Sequence, residues 1–189
     1  MILKHLNISK AWTLFLDRDG VINRRLVDDY VKAWDEFEFL EGVPEALAVF
    51  AQIFGKILVV TNQRGVGRGL MSQEALEDIH RRMIREAARA GGRIDKVYFC
   101  PDLKNSGSFC RKPQVGMALR AKKDFPNIRF KSSFMAGDSV SDLKFGKRLK
   151  MKTVLIDDSP LTARRYPSLT DYRFDSLKIF AEELVKAYL

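Results

Sequence analysis

Two carboxylates two residues apart, Asp17 and Asp19, close the apolar run Trp12-Thr13-Leu14-Phe15-Leu16, and Gly20 follows them. Carboxylates this close repel each other unless a cation or a shared proton relieves them. A hard metal such as Mg²⁺ takes oxygen donors of this kind, which leaves one of the pair free to attack a phosphorus atom. Asp and Gly are also ordinary turn residues, so the pair gains its meaning from the rest of the chain. A second apolar run ends on Thr61-Asn62, a hydroxyl beside an amide, both able to bond a phosphate oxygen. Arg111 and Lys112 stand just before Pro113, where a helix start would already favour anions. Asp138 ends a further run, Ser133–Gly137, and Asp142 follows inside GDSVSD, where a loose capping box also accounts for it. A metal between carboxylates, a cation and polar donors together make a site for phosphoryl transfer.

Weaker candidates lie beside these. Arg24, Arg25 and Tyr30 fall in a polar stretch after the first run, and Gln63 and Arg64 follow Asn62. Gly65, Gly67 and Gly69 would let backbone amides approach an anion. His80 falls inside a helical stretch away from every strand end, and is expected to be exposed and non-catalytic. The chain has neither the G-x-S-x-G elbow of serine hydrolases nor a P-loop G-x-x-x-x-G-K-[ST].

These groups need a scaffold that brings several chain segments to one edge. Short bulky runs at 12–16, 56–61, 94–100, 133–137, 152–156 and 172–174 read as buried strands. Between them, Val43, Leu47 and Phe50 have helical spacing behind Pro44. Ser72 suits an N-cap for a helix whose apolar stripe is Leu76, Ile79, Met83 and Ala87, stopped at Gly91-Gly92. Pro113 would open a helix carrying Met117, Leu119 and Ala121, and a last helix covers 177–189. The alternation predicts an α/β fold, a Rossmann-like parallel sheet flanked by helices, with ligands outside the carboxyl ends of the strands.

The 189 residues, 46% hydrophobic, suit one domain spanning 1–189. No signal peptide or apolar membrane span is visible, so a cytoplasmic protein without membrane association is the expectation; its oligomeric state is left open, with a monomer favoured. Cys100 and Cys110 do not make a disulfide framework. The net charge of +9 favours anionic partners. Its cations are scattered among acidic residues, and no aromatic-basic run suited to stacking single strands is present, so nucleic acid is not expected as the partner.

Four stretches, LDRDG, VVTNQ, CRKP and GDSVSD, occur in the order of the four motifs of the haloacid dehalogenase superfamily of aspartate-dependent phosphatases, which the chain resembles. Within it, LFLDRDGVIN, FEFLEGV, TNQRGVGRG and FCRKPQVGM are most similar to the heptose-bisphosphate and histidinol-phosphate phosphatases, small proteins without a large cap domain. The resemblance implies that Asp17 is the nucleophile and Asp19 the general acid and base. Asp17, the Asp19 carbonyl and Asp138 would hold Mg²⁺, and Thr61 and Lys112 would hold the phosphoryl oxygens. Arg111 would recognise the substrate, a small phosphorylated compound such as a sugar phosphate, with Asn62, Gln63, Arg64 and Tyr30 as further contacts. Asp142 would orient Lys112 or the metal shell. The heptose enzymes carry a zinc loop, C-x-H with a later C-x-C. Here Cys100 and Cys110 remain, while Asp102 and Ser108 replace the other two ligands, so zinc is not expected. A nucleic-acid 3′-phosphatase and a non-catalytic binding protein on the same fold are the competing readings.

Overall fold

The computed structural model describes residues 3–188. The apolar runs form β1 (Thr13–Leu16), β2 (Lys56–Asn62), β3 (Lys96–Cys100), β4 (Ser133–Gly137), β5 (Lys152–Ile156) and β6 (Tyr172–Phe174). All pair in parallel, in the order β3-β2-β1-β4-β5-β6. Strand side chains alternate between faces. Leu14, Leu16, Ile57 and Val59 join one core, and Phe15, Leu58, Val60 and Met135 join the other. Both faces of the central strands are therefore covered, which is why these runs are apolar throughout. Each such Leu, Val or Phe contributes about 1.5–3 kcal/mol by burial. The third strand starts two residues later than its apolar run, because Asp95 is tied sideways: its carboxylate accepts the Ile57 N–H at 2.8 Å and its own N–H donates to the Ile57 carbonyl.

The first face is covered by α1 (Val43–Ile53), α3 (Gln73–Arg89) and α7 (Leu177–Tyr188). Val43, Leu47 and Phe50 of α1 are buried, and the Phe50 ring meets Phe180 of α7 at 5.4 Å between centroids. Ser72 caps α3 by accepting the Ala75 N–H, and the predicted stripe Leu76, Ile79, Met83 and Ala87 faces inward. The other face carries α4 (Gly116–Asp124) and α5 (Val140–Arg148). Helix α4 begins three residues beyond Pro113, and Leu119 is exposed; Met117, Ala118 and Ala121 make its buried face. The remaining helices are short: α2 (Arg64–Gly67) and α6 (Leu161–Arg165).

β1 lies between β2 and β4, and the chain reaches those neighbours on opposite sides. That reversal opens a crevice at the carboxyl ends of β1 and β4. Residues 17–42, between β1 and α1, form no layer of their own; Val21, Ile22, Val31 and Phe37 tuck into the first core. Among the described residues no helix is long and apolar enough to cross a membrane.

Candidate active site

Asp17 is the first residue past β1, and its N–H still pairs with Ala136 of β4 at 2.9 Å. The chain then turns sharply, with the Arg18 carbonyl accepting the N–H groups of Val21, Ile22 and Asn23. Gly20 stands at φ +87°, and a Cβ there would collide with the Asp138 carboxylate, so this turn admits only glycine. Asp17 is thereby held beside Asp138, the first residue past β4.

Lys112 arrives from the loop after β3. The expectation that it stands at a helix N-terminus fails: the Lys112–Pro113 peptide is cis, residues 113–115 turn, and α4 starts later. Its placement comes from Asn62 instead, whose side chain accepts the Lys112 N–H at 3.0 Å and donates to the Lys112 carbonyl at 3.2 Å. The Lys112 ammonium is buried between Asp17 Oδ1, at 2.9 Å, and Asp142. The other Asp142 oxygen accepts the Ser139 hydroxyl at 2.6 Å and the Ser139 N–H at 3.1 Å. Asp142 is thus both a cap of α5 and the counter-ion of Lys112.

Oxygens of Asp17, Asp138 and Asp142 lie within 4.8 Å of one another. Burial, then the Asp142 charge, push the Asp17 carboxyl up to about 6 against the pull of Lys112. Burial, then the Asp17 charge, push Asp138 up to about 7 against Arg25. This is a place short of positive charge. The Arg25 guanidinium lies there, reaching the two Asp138 oxygens at 3.0 Å each and the Asp19 carbonyl at 2.9 Å. Oxygens of Asp138 and the Asp19 carbonyl therefore converge on one cation, beside Asp17. Donors of that chemistry fit Mg²⁺.

Asp19 has both oxygens occupied. Oδ1 accepts from Arg18 at 2.7 and 3.1 Å and from Asn23 at 3.0 Å; Oδ2 accepts from Gln63 at 2.7 Å. Burial works to raise its pKa, but the Arg18 charge and these hydrogen bonds outweigh it, and the group is held below the ordinary carboxylate range. His80 departs from expectation: it is buried, with Nε2 accepting from Arg18 at 3.3 Å. Burial, then the Arg18 charge, push it down to about 3, so the ring is neutral. The side chain of Arg18 bridges from β1 to α3, a contact that helical periodicity alone does not reveal.

Thr61 and Gln63 are buried, and the Gln63 amide bridges the Thr61 hydroxyl, at 2.9 Å, to Asp19. Asn62 and Gln63 thus position Lys112 and Asp19, although both border the cleft. Tyr30, Arg64 and Arg111 line that cleft of about 430 Å³ above Asp17, together with Lys104, Ser139 and Ser141. The Arg64 guanidinium lies 5.6 Å from the centre of the Tyr30 ring. Desolvation, then the nearby Arg64 charge, lower the Arg111 pKa, which marks two cations sharing one rim. Gly65 packs against the Tyr30 ring and Gly67 against the Pro101 carbonyl, so both positions permit a close approach. Lys104 carries no sequence signal; Ser141 sits in the GDSVSD stretch and Asn23 in the DGVIN stretch, and both were recoverable. A larger groove between α1 and α7, about 690 Å³, has no comparable convergence of chemical groups.

Cys100 and Cys110 are paired as a disulfide with Cα atoms 5.6 Å apart, where the sequence led to no disulfide framework. The loop doubles back, so residues ten apart meet. Asp102 Oδ2 lies 3.4 Å from the Cys110 sulfur and the Ser108 hydroxyl 3.2 Å from it. All four positions of the zinc loop thus still converge.

Residues 13–174 match the family model described as polynucleotide kinase 3 phosphatase. The D-glycero-alpha-D-manno-heptose-1,7-bisphosphate 7-phosphatase of Mycobacterium bovis is 39% identical over 170 residues, 90% of each chain. The D-glycero-beta-D-manno-heptose-1,7-bisphosphate 7-phosphatase of Pasteurella multocida is 38% identical over 150 residues, 76% of this chain and 80% of the other. The crystal structure of D,D-heptose 1,7-bisphosphate phosphatase from B. bronchiseptica, complexed with magnesium and phosphate, superposes with a TM-score of 0.83 at 31% identity, covering 92% of this chain and 98% of that one. The chain belongs to the polynucleotide kinase 3 phosphatase family, within the haloacid dehalogenase superfamily of phosphatases.

Proposed function

We propose that the chain hydrolyses a phosphomonoester of a small bisphosphorylated sugar, heptose 1,7-bisphosphate at its 7-phosphate, with Asp17 as nucleophile and Mg²⁺ as cofactor. The observation that carries the chemistry is the placement of Asp17 between the Lys112 ammonium and the Asp138–Asp19 oxygen cluster. The substrate class rests on the relatives' names, on the cleft's size and on the paired cations Arg64 and Arg111 at its rim.

Asp17 forms a bond to phosphorus while the bond from phosphorus to the substrate oxygen breaks. Asp19 is ionised in the arrangement described, so it takes up a proton as the substrate binds, supplies it to the departing alkoxide, and later takes one from the water that attacks the aspartyl phosphate, releasing inorganic phosphate and restoring Asp17. Lys112 and the Thr61 hydroxyl offset charge on the transferring phosphoryl oxygens. Asp17, the Asp19 carbonyl and Asp138 would hold Mg²⁺, which would supply further charge neutralisation. Arg111, Arg64 and Tyr30 bind the second phosphate or sugar at the rim. Zinc has no part in this reading, because the 100–110 loop offers a carboxylate and a hydroxyl where two zinc ligands would stand, and its sulfurs are joined. We further propose that this chain, folded as one α/β unit, works as a monomer in the cytoplasm.

The test is Mg²⁺-dependent phosphate release from the two heptose 1,7-bisphosphate anomers, histidinol phosphate, other sugar phosphates and a 3′-phosphorylated oligonucleotide. Preference for a heptose bisphosphate supports the reading. Preference for the oligonucleotide, with steep salt dependence, replaces the substrate while keeping the chemistry. No release from any compound overturns it.

A further inference from the structure

Arg25 belongs to the polar stretch after β1, yet every hydrogen bond its side chain makes points back into the site. Its two terminal nitrogens take both Asp138 oxygens, at 3.0 Å each, and one also donates to the Asp19 carbonyl at 2.9 Å. The planar fork of a guanidinium matches a carboxylate in this way. These are the oxygens assigned above to Mg²⁺, and the inference rests on that assignment. Mg²⁺ requires its oxygens at about 2.0–2.1 Å in near-octahedral order. The guanidinium and the ion cannot share them.

The charges point the same way. Asp17, Asp138 and Asp142 face Lys112 and Arg25, which leaves one net negative charge in the cluster. Mg²⁺ in place of Arg25 leaves none. With Arg25 simply removed, the carboxylates repel each other unscreened. Arg25 is half-exposed and sits on a surface loop, so it can swing out without opening the core. Its neighbour Arg24 pairs with Glu38 instead, with both side chains open to solvent.

We propose that Arg25 is an internal stand-in for the divalent cation: it holds Asp138 and the Asp19 carbonyl in place in the metal-free protein, and Mg²⁺ binds by displacing it. Mg²⁺ affinity is then set in part by this side chain. The guanidinium, once released at the cleft edge, is available to an anionic substrate.

The experiment titrates Mg²⁺ alone into metal-free protein by calorimetry, for wild type, Arg25→Gln, Arg25→Lys and Arg24→Gln, with no turnover involved. Arg25→Gln should bind Mg²⁺ about three- to fivefold tighter, the upper end of the scale for one partly exposed pair. Arg25→Lys, which keeps the charge without the fork, should fall between it and wild type. Arg24→Gln removes the same charge one residue away and should stay within about twofold of wild type. Metal-free Arg25→Gln should also melt below wild type, and saturating Mg²⁺ should close that gap. Unchanged or weaker Mg²⁺ binding in Arg25→Gln overturns the inference, as does equal tightening in Arg24→Gln. Failure of every protein, wild type included, to bind Mg²⁺ overturns the metal assignment itself.

Discussion

Nε2 of His80 accepts a hydrogen bond at 3.3 Å from the Arg18 guanidinium, whose opposite side grips Asp19 Oδ1 at 2.7 and 3.1 Å. Arginine cannot lose its proton, so the histidine must be the acceptor and therefore neutral. The helix α3 thus reaches Asp19 through one buried side chain. His80→Ala leaves a buried Arg18 N–H unpaired and should cost about 1–3 kcal/mol in urea unfolding. It should lower kcat with little change in KM, because Asp19 is loosened while the cleft rim is untouched. Loss of stability with kcat unchanged would show that the contact is purely structural.

Asp17→Asn should reduce turnover by more than about a thousandfold, since an amide is a poor nucleophile and cannot be replaced by Asp19. The fold should survive. Burial and Asp142 already disfavour the charged form of Asp17. The neutral amide should therefore leave the metal-free protein at pH 8 as stable as wild type, or more so, by thermal melting.

Lys112→Met should be far more damaging to stability than Asp17→Asn. It strands Asp17 and Asp142 against each other in a buried site. Breaking a buried pair from one side costs about 3–5 kcal/mol. Urea unfolding of Lys112→Met beside Lys112→Met/Asp142→Asn checks this: the second change should recover part of the loss.

The metal-free protein should lose stability as pH rises. Asp17 is raised to about 6 and Asp138 to about 7, so below the unfolded value near 3.8 both states hold these protons alike. Between that value and the folded ones the native state alone keeps them, and deprotonation of the unfolded chain favours unfolding. The loss accumulates from about pH 4 to pH 7. Mg²⁺ binds the deprotonated carboxylates, so its stabilisation should be larger at pH 8 than at pH 5. A metal-induced rise in Tm that is equal at both pH values would contradict the two shifts.

Chelation with EDTA, followed by gel filtration and elemental analysis, should yield a folded protein with no stoichiometric zinc, inactive until Mg²⁺ is returned. A structural zinc at Cys100, Asp102 and Cys110 would show itself either as zinc retained through chelation or, if stripped, as collapse of the loop.

The scaffold was legible because its strands are buried on both faces. A run such as Ile57–Val60 has to be apolar at every position, and it stands out between polar helix faces. Strand ends were therefore readable, and with them Asp17, Thr61 and Asp138. Helix α4 was misplaced because Pro113 suggests a helix start equally well when it lies in a turn.

What the sequence by itself determined was the list of chemical groups and the order in which the strand ends present them. Asp17, Asp19, Thr61, Lys112 and Asp138 were identifiable as types at spacings. The tertiary structure alone decided what each group faces. His80 at Arg18, Asn62 on the Lys112 backbone, Gln63 on Asp19, Arg25 on Asp138 and Cys100 against Cys110 join residues between 10 and 113 positions apart. Periodicity reports only which face of its own helix or strand a residue takes. A polar side chain's partner depends on which other element is packed there and how far the side chain reaches, and that is set by the whole sheet order rather than by any local pattern.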